Sequence, residues 1–344
     1  MIQRHSVFLT IVLILCVSLS YVMSVDAKDD FSWEQIKHNG QEYVSLRSLK
    51  TFYFFDKITF GSKITLENKS YKMIVKSGSQ ECRLNGVLFI LSHPIVSKDG
   101  RYLLHYTDLV KLIDPVFRPA SIPNANAFNS VVVDAGHGGH DSGAKGIFGS
   151  EKVYTLKLAK LLRDQLQARG YKVIMTRATD VFVSRSNRVA MANRFPNAIF
   201  ISLHFNSAHS AAKGVETFTV SPVGVPHLGR GVRDGDYRSV PGNIADSASI
   251  ALATAVHGRA LLYLNDARNG NNFRMIDRGI KRARFDVLQG IKIPAVLFEG
   301  GFLSNREEAA KVNSLAFQKT LAAALVKAVD VYRGAILKGG GRGK

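Results

Sequence analysis

The sequence predicts an α/β protein: a mostly parallel twisted sheet with helices on both faces, preceded by a small strand-rich α+β domain. Three observations predict it. From Val131 onward, apolar strand-like runs alternate with amphipathic segments of helix length, which is the pattern of layered α/β domains. Residues 30–118 instead carry short alternating runs separated by turn residues. Between the two, "RPASIPNANAFNS" combines prolines and asparagines and reads as a linker. The expected division is therefore an accessory domain at 30–118, a linker at 119–130, a second domain at 131–335 and a flexible glycine-rich tail at 336–344.

Taken in order, the first 27 residues place Arg4 and His5 ahead of an apolar run from Val7 to about Val22 and end on Val25-Asp26-Ala27. That is the layout of a secretory signal, with Ala27 before the cleavage point; an uncleaved membrane anchor is the alternative, although the run is short for a span. In the accessory domain, "KITLENKSYKMIVKSG" alternates apolar and polar positions, and Asn85-Gly86 separates "ECRL" from "VLFIL" as a hairpin turn. Short helical pieces follow Ser45 and Thr107. The second domain begins with strand "SVVVDA" and helix "EKVYTLKLAKLLRDQLQARG", whose Tyr154, Leu158, Leu161, Leu162 and Leu166 form an apolar stripe stopped at Gly170. Strand "YKVIMTR", helix "SRSNRVAMANRF", strands "AIFISLHFN" and "GVETFTV", helix "DSASIALATAVHGRALLYL", strand "AVLFEGG" and a helix to about Arg333 complete it.

Composition narrows the partners. The formal net charge of +19 is unchanged by loss of residues 1–27, so the surface is strongly basic and suits a polyanion. Export argues against nucleic acid and leaves the cell envelope as the expected partner. Cys16 lies in the apolar run and Cys82 is the remaining cysteine, so the exported chain has no internal disulfide.

Ligands of open α/β sheets gather beyond the carboxyl ends of the strands. His137 follows the first strand of the second domain, His204 ends "AIFISLH", Glu299 ends "AVLFE", and Glu151 opens the helix after the first loop. Two histidines and a carboxylate are a usual catalytic zinc set with a fourth position left for water. His137, Glu151 and His204 fit it as ligands to one Zn²⁺, with Glu299 as the general base that takes and returns the proton. Gly136, Gly138 and Gly139 let the backbone turn after the strand, and Asp134 is the candidate for orienting a ligand imidazole.

The stretches "VVVDAGHGGHDSGAKG…SEK", "SRSNRVAMANRF", "AIFISLHFNS", "KGVETF" and "PAVLFEGGFLSN" occur in order over about residues 130–333 and resemble the successive motifs of the type 3 N-acetylmuramoyl-L-alanine amidases, zinc enzymes that trim peptidoglycan. Carried over position by position, the resemblance implies His137, Glu151 and His204 as zinc ligands and Glu299 as the catalytic carboxylate. It also implies hydrolysis of the amide between N-acetylmuramic acid and L-alanine. His140 falls at a variable position of the first motif and is not expected to be a ligand.

The basic run "DRGIKRARFDVL" offers Lys281 and Arg284 to the carboxylates of a stem peptide, with a solvated surface as the alternative. The stretch 221–243 is long and polar for the family, and a lid, a docking surface and a plain loop stay open for it. Residues 30–118 resemble the copper amine oxidase N-terminal-like domain of bacterial envelope hydrolases through "NGQEYVSLRSL", "CRLNGVLFILSHPIVSKDGRYLL" and "TDLVKLI". His93 and His105 there read as isolated, so wall or protein attachment rather than copper binding is expected. Peptidoglycan is the expected partner, in the periplasm or in the cell envelope and extracellular space. An envelope protein activator, a zinc endopeptidase cutting within the stem peptide and a non-catalytic wall-binding protein remain open beside the amidase reading.

Overall fold

The computed structural model describes residues 31–123, 125–267 and 272–337. The signal expected at 1–27 lies outside the described residues, as does the tail beyond Leu337. Among the described residues no helix is long and apolar enough to cross a membrane.

The accessory region comprises β1 (Gln35–His38), β2 (Gln41–Ser45), α1 (Leu46–Phe52), β3 (Lys57–Thr59), β4 (Ile64–Glu67), β5 (Lys72–Val75), β6 (Glu81–Leu84), β7 (Val87–Ile90), β8 (Val96–Lys98) and β9 (Arg101–His105). It closes with α2 (Tyr106–Asp108), a π-helical turn at Leu109–Ile113 and α3 (Asp114–Phe117). Ser45 starts α1 because its hydroxyl accepts the Ser48 amide, satisfying one of the helix's first free N–H groups. Asn85 and Gly86 both take positive φ, 49° and 90°, so β6 and β7 form the expected tight hairpin.

The second region comprises β10 (Ser130–Ala135), β11 (Lys145–Gly146), β12 (Gly149–Ser150), α4 (Glu151–Ala168), β13 (Lys172–Met175), α5 (Arg185–Ala192), β14 (Ala198–Asn206) and β15 (Val215–Val220). It continues with α6 (Asp246–Leu264), β16 (Asp277–Ala283), α7 (Asp286–Gly290), β17 (Ala295–Phe302), α8 (Arg306–Asn313) and α9 (Leu315–Leu337). Every residue of β10 is buried, as expected of a strand covered on both faces. Val131 and Val133 join the core under α4, α6 and α9, while Val132 and Phe200 join a second core with Ala192 of α5 and Leu288 of α7. Gly170 (φ 83°) ends α4, and the Tyr171 amide reaches back to the Leu166 carbonyl.

The main sheet as a whole is mixed, so the expectation of a mostly parallel one is met only in part: among its described strands from the second region β15–β17 is the one antiparallel pairing, and β15 and β16 run parallel. The sheet order is β13-β10-β14-β17-β15-β16-β7-β6-β5-β4-β3. β13, β10, β14 and β17 run parallel, but β15 is antiparallel to β17, and the accessory strands from β7 to β3 form an antiparallel meander. The reversal follows from the short connection: β14 and β15 flank β17, and residues 207–214 between them are too few to carry the chain back to the start of a strand parallel to β14.

The accessory strands continue the second region's sheet. Ile280 of β16 pairs with Phe89 of β7, and residues of both regions share one apolar core. Residues from Trp33 onward cluster as one compact unit. Phe128, within the expected linker, is buried and stacks on Tyr171 and Tyr332.

Candidate metal and catalytic site

β10 delivers the chain into a loop whose carbonyls are held by two buried arginines. Arg177 donates to the Ala135 and Gly136 carbonyls at 2.9 and 2.8 Å, and Arg188 donates to those of Ala135 and His137, each at 2.7 Å. Asp134, at 1% exposure, accepts from Thr176 and Ser202 at 2.6 Å each and pairs with Arg188. Desolvation would raise this carboxyl, but Arg188 and the two hydroxyls hold it below the usual range. Asp134 therefore braces the loop and touches neither candidate ligand ring; the carboxylate on His137 is Asp141, at 2.9 Å from Nδ1. The sequence reading missed Asp141, whose spacing of four residues from His137 was the available signal.

His137 adopts φ 61°, a left-handed conformation unusual for a non-glycine residue, which turns its ring toward α4. Its Nε2 lies 3.0 Å from Glu151 Oε2, and His204 Nδ1 lies 2.8 Å from Glu151 Oε1. One ligand-competent atom from each of His137, Glu151 and His204 falls within 4.8 Å of the others. Glu151 is placed by the start of α4, and its carboxylate also accepts the Ala144 and Phe205 amides at 2.9 and 3.1 Å. Burial alone would raise its pKa; the hydrogen bonds and charges of His137 and His204 reverse that and keep it ionised.

Two glycines make this convergence sterically feasible. A Cβ at Gly136 would lie 2.4 Å from His204 Cε1, and one at Gly143 would lie 2.5 Å from Glu151 Oε2. The donor set is of the kind that binds zinc, and the ionised carboxylate between two imidazoles fits a divalent cation.

Across the sheet, His204 of β14, Glu299 of β17 and Glu216 of β15 stand in register. Glu299 Oε2 is buried and has no hydrogen-bond partner among the described residues. Burial, followed by the charges of Glu151 and Glu216, pushes the Glu299 pKa well up. Glu216 is itself buried and fully engaged, by Arg278, by Lys281 Nζ at 2.7 Å and by Asn206 Nδ2 at 3.1 Å. A cleft of about 900 Å³ opens over His137, Glu151, His204 and Glu299.

Residues 131–331 match the family described as N-acetylmuramoyl-L-alanine amidase. The chain belongs to this amidase family. Among its relatives, the uncharacterized protein YqiI of Bacillus subtilis (strain 168) is 30% identical over 203 residues, 59% of this chain and 84% of that one. The N-acetylmuramoyl-L-alanine amidase AmiC of Escherichia coli O6:H1 is 30% identical over 221 residues, 59% of this chain and 52% of AmiC, so the chain spans about half of that relative's length. The solved catalytic domain of CwlV, an N-acetylmuramoyl-L-alanine amidase from Bacillus (Paenibacillus) polymyxa var. colistinus, is 30% identical; it aligns over 60% of this chain and 99% of its own with a TM-score of 0.48.

Other residues singled out in the sequence occupy different places in this amidase. His140 packs on Phe182, with ring centroids 4.1 Å apart, outside the ligand cluster. Lys281 is bound to Glu216, as above. Arg284 lines the cleft, but its guanidinium is taken by Asp236 at 2.8 Å and by the Pro222, Val225 and Asp236 carbonyls. Those contacts pin the 221–243 stretch to the cleft wall, and Arg230 adds two bonds to Asp236 at 2.6 and 2.7 Å. His93 and His105 are not isolated from each other: they stack with centroids 3.6 Å apart beside buried Asp108.

Proposed function

We propose that this amidase is an exported zinc hydrolase that cleaves the amide between N-acetylmuramic acid and the L-alanine of the stem peptide. The observation that carries the reading is the convergence of His137, Glu151 and His204 beside Glu299, which lines the same cleft and whose buried Oε2 has no hydrogen-bond partner among the described residues. His137, Glu151 and His204 would hold the metal. When bound, zinc supplies Lewis acidity, lowering the pKa of water to about 7 and polarising the amide carbonyl.

The chain's own residues supply the rest. Asp141 accepts a hydrogen bond from the Nδ1–H of His137, which fixes the tautomer that presents a lone pair at Nε2 on the Glu151 side. Glu299 accepts the proton of the attacking water at its free oxygen and delivers it to the departing alanine nitrogen. The high net positive charge of +19 favours approach to an anionic wall polymer, and the apolar segment of residues 7–22 supports export.

Digestion of purified sacculi tests this, with the new ends identified by mass spectrometry. Free alanine amino termini and unsubstituted lactyl groups are expected, abolished by a chelator and restored by Zn²⁺. New termini within the stem peptide would instead establish an endopeptidase, and activity that survives removal of all metal would overturn the ligand assignment.

A further inference from the structure

The cleft over the candidate metal site carries charged groups of two kinds. Arg188 and Arg284 line it, but both guanidiniums are consumed internally, the first by Asp134 and loop carbonyls and the second by Asp236 and loop carbonyls. The acidic groups Asp134, Asp141, Glu151 and Glu299 belong to its floor. Arg185 and Asp286 differ. They line the same cleft, face each other at 3.2 Å, and keep side-chain exposures of 78% and 66%.

Their backbones are fixed although their charged ends are open. Arg185 begins α5 and Asp286 begins α7. Asn193 ties the two helices together by donating to the Gly290 carbonyl at 3.0 Å and accepting the Lys292 amide at 2.9 Å. Gly290 is the point of closest approach, since a Cβ there would lie 2.8 Å from Val189 Cγ1. An ion pair this exposed stabilises a fold by less than about 1 kcal/mol, so separating it costs little. A ligand that brings one charge of each sign can replace both partners and leave neither unpaired.

We propose that Arg185 and Asp286 form a recognition subsite for a zwitterionic portion of the stem peptide, with a free carboxylate on Arg185 and a free ammonium on Asp286. This rests on the amidase reading for the identity of the ligand, but it concerns binding rather than bond cleavage. Phe182 and Phe285 flank the pair on the cleft walls and supply apolar contact for the peptide between its charges.

The test is calorimetric binding of a peptide that lacks the muramic acid lactyl amide, N-acetyl-L-alanyl-γ-D-glutamyl-diaminopimelate, to the Glu299→Gln protein, compared with analogues in which its terminal carboxylates are amidated or its free amine is acetylated. The Glu299→Gln protein is expected to bind the unmodified peptide about tenfold more tightly than either analogue. Adding Arg185→Gln should lose that tenfold for the unmodified peptide and show no further loss on amidation; adding Asp286→Asn should behave likewise toward acetylation. Both side chains are exposed, so thermal melting should be unchanged and confirms folding. Equal affinity of the Glu299→Gln protein for all three peptides, or equal losses by both added substitutions on every peptide, would overturn the subsite. Cleavage of muropeptides by the wild-type protein is scored separately: release of alanine amino termini with no charge-dependent binding removes the subsite alone, whereas charge-dependent binding with no such release removes the amidase reading alone.

Discussion

Two aspartates near His137 do different physical work. Asp141 shares a proton with the ring, whereas Asp134 neutralises Arg188, which in turn holds the His137 carbonyl. Removing an orienting carboxylate from a metal-bound histidine typically costs 10–100-fold in metal affinity or activity, roughly what Asp141→Asn should lose. Glu299→Gln should behave differently: kcat falls by about 10²–10⁴-fold while metal content stays near that of the parent, since Glu299 stands outside the cluster of three. His204→Ala should lose both. Metal content and kcat measured together on the three variants check these outcomes, and loss of metal from Glu299→Gln equal to that from His204→Ala would make Glu299 a ligand. At this scale the candidate site was legible because His137 follows β10 and Glu151 opens α4, while His204 and Glu299 come late in two apolar runs; both strands continue past them, to Asn206 and Phe302, beyond where the apolar pattern stops. Lys281 and Arg284 were not legible as internal partners, because a basic run looks the same whether its charges meet solvent or buried Glu216 and Asp236.

Elements bring these groups together by close backbone approach and by the direction in which strands run. Gly143 (φ 61°) leaves no room for a side chain against Glu151 and His137, so Gly143→Ala should weaken metal binding more than tenfold. Gly170→Ala, at φ 83° with nothing within 4 Å, should cost only about 1 kcal/mol of stability and leave metal content intact; equal metal content in the two variants would refute the steric argument. The reversal of β15 was within reach of the sequence, since the connection after His204 is too short for a parallel crossover. β16 was hidden by its Arg278, Lys281 and Arg282, which are charged residues on a strand whose partners come from β15. At the end of β9, His105 accepts the Thr107 amide and stacks on His93; burial and then the neighbouring His93 lower its pKa to about 4. The unfolded chain titrates near the ordinary value of 6.5, so it binds more protons than the fold between pH 6.5 and about 4. The histidine's contribution is therefore complete above pH 6.5, declines as pH falls through that window, and levels off below it. His105→Asn, which can still accept the Thr107 amide, should flatten the stability profile by on the order of 3 kcal/mol across the window, one unit being worth about 1.4. Parallel profiles from denaturant titrations at several pH values would remove His105 as the cause.

At the scale of the whole molecule, prolines and asparagines at 118–130 predict two separately folding units, but the buried contacts argue for cooperation. Ile122, Ala125 and Phe128 recur every three residues and pack on the common core, an apolar signal obscured by the turn-forming residues between them. Asp277 of β16 accepts from Arg83 and from the Leu88 amide on the accessory side, each at 3.0 Å, and contacts His257 of α6 at 3.0 Å. Buried Arg282 donates to the Lys111 carbonyl, and Lys111 Nζ pairs with Asp246 at 3.0 Å. A fragment beginning near Asn124 would expose the flank of β16, deprive Asp277 of Arg83 and the Leu88 amide, Arg282 of the Lys111 carbonyl and Asp246 of Lys111, and leave Asp277 only its contact with His257 among these. Removing Lys111 from Asp246, whose side chain is 5% exposed, costs roughly 3–5 kcal/mol, the more exposed Arg83 pair adding little; for a fragment of this size each kcal/mol corresponds to about 2–4 °C in Tm. The exported chain should therefore melt in one calorimetric transition with equal calorimetric and van't Hoff enthalpies, and the fragment should melt about 10 °C lower with reduced zinc occupancy. Two resolved transitions in the longer chain, the upper one matching the fragment, would show that the regions fold independently and that the shared core contributes little.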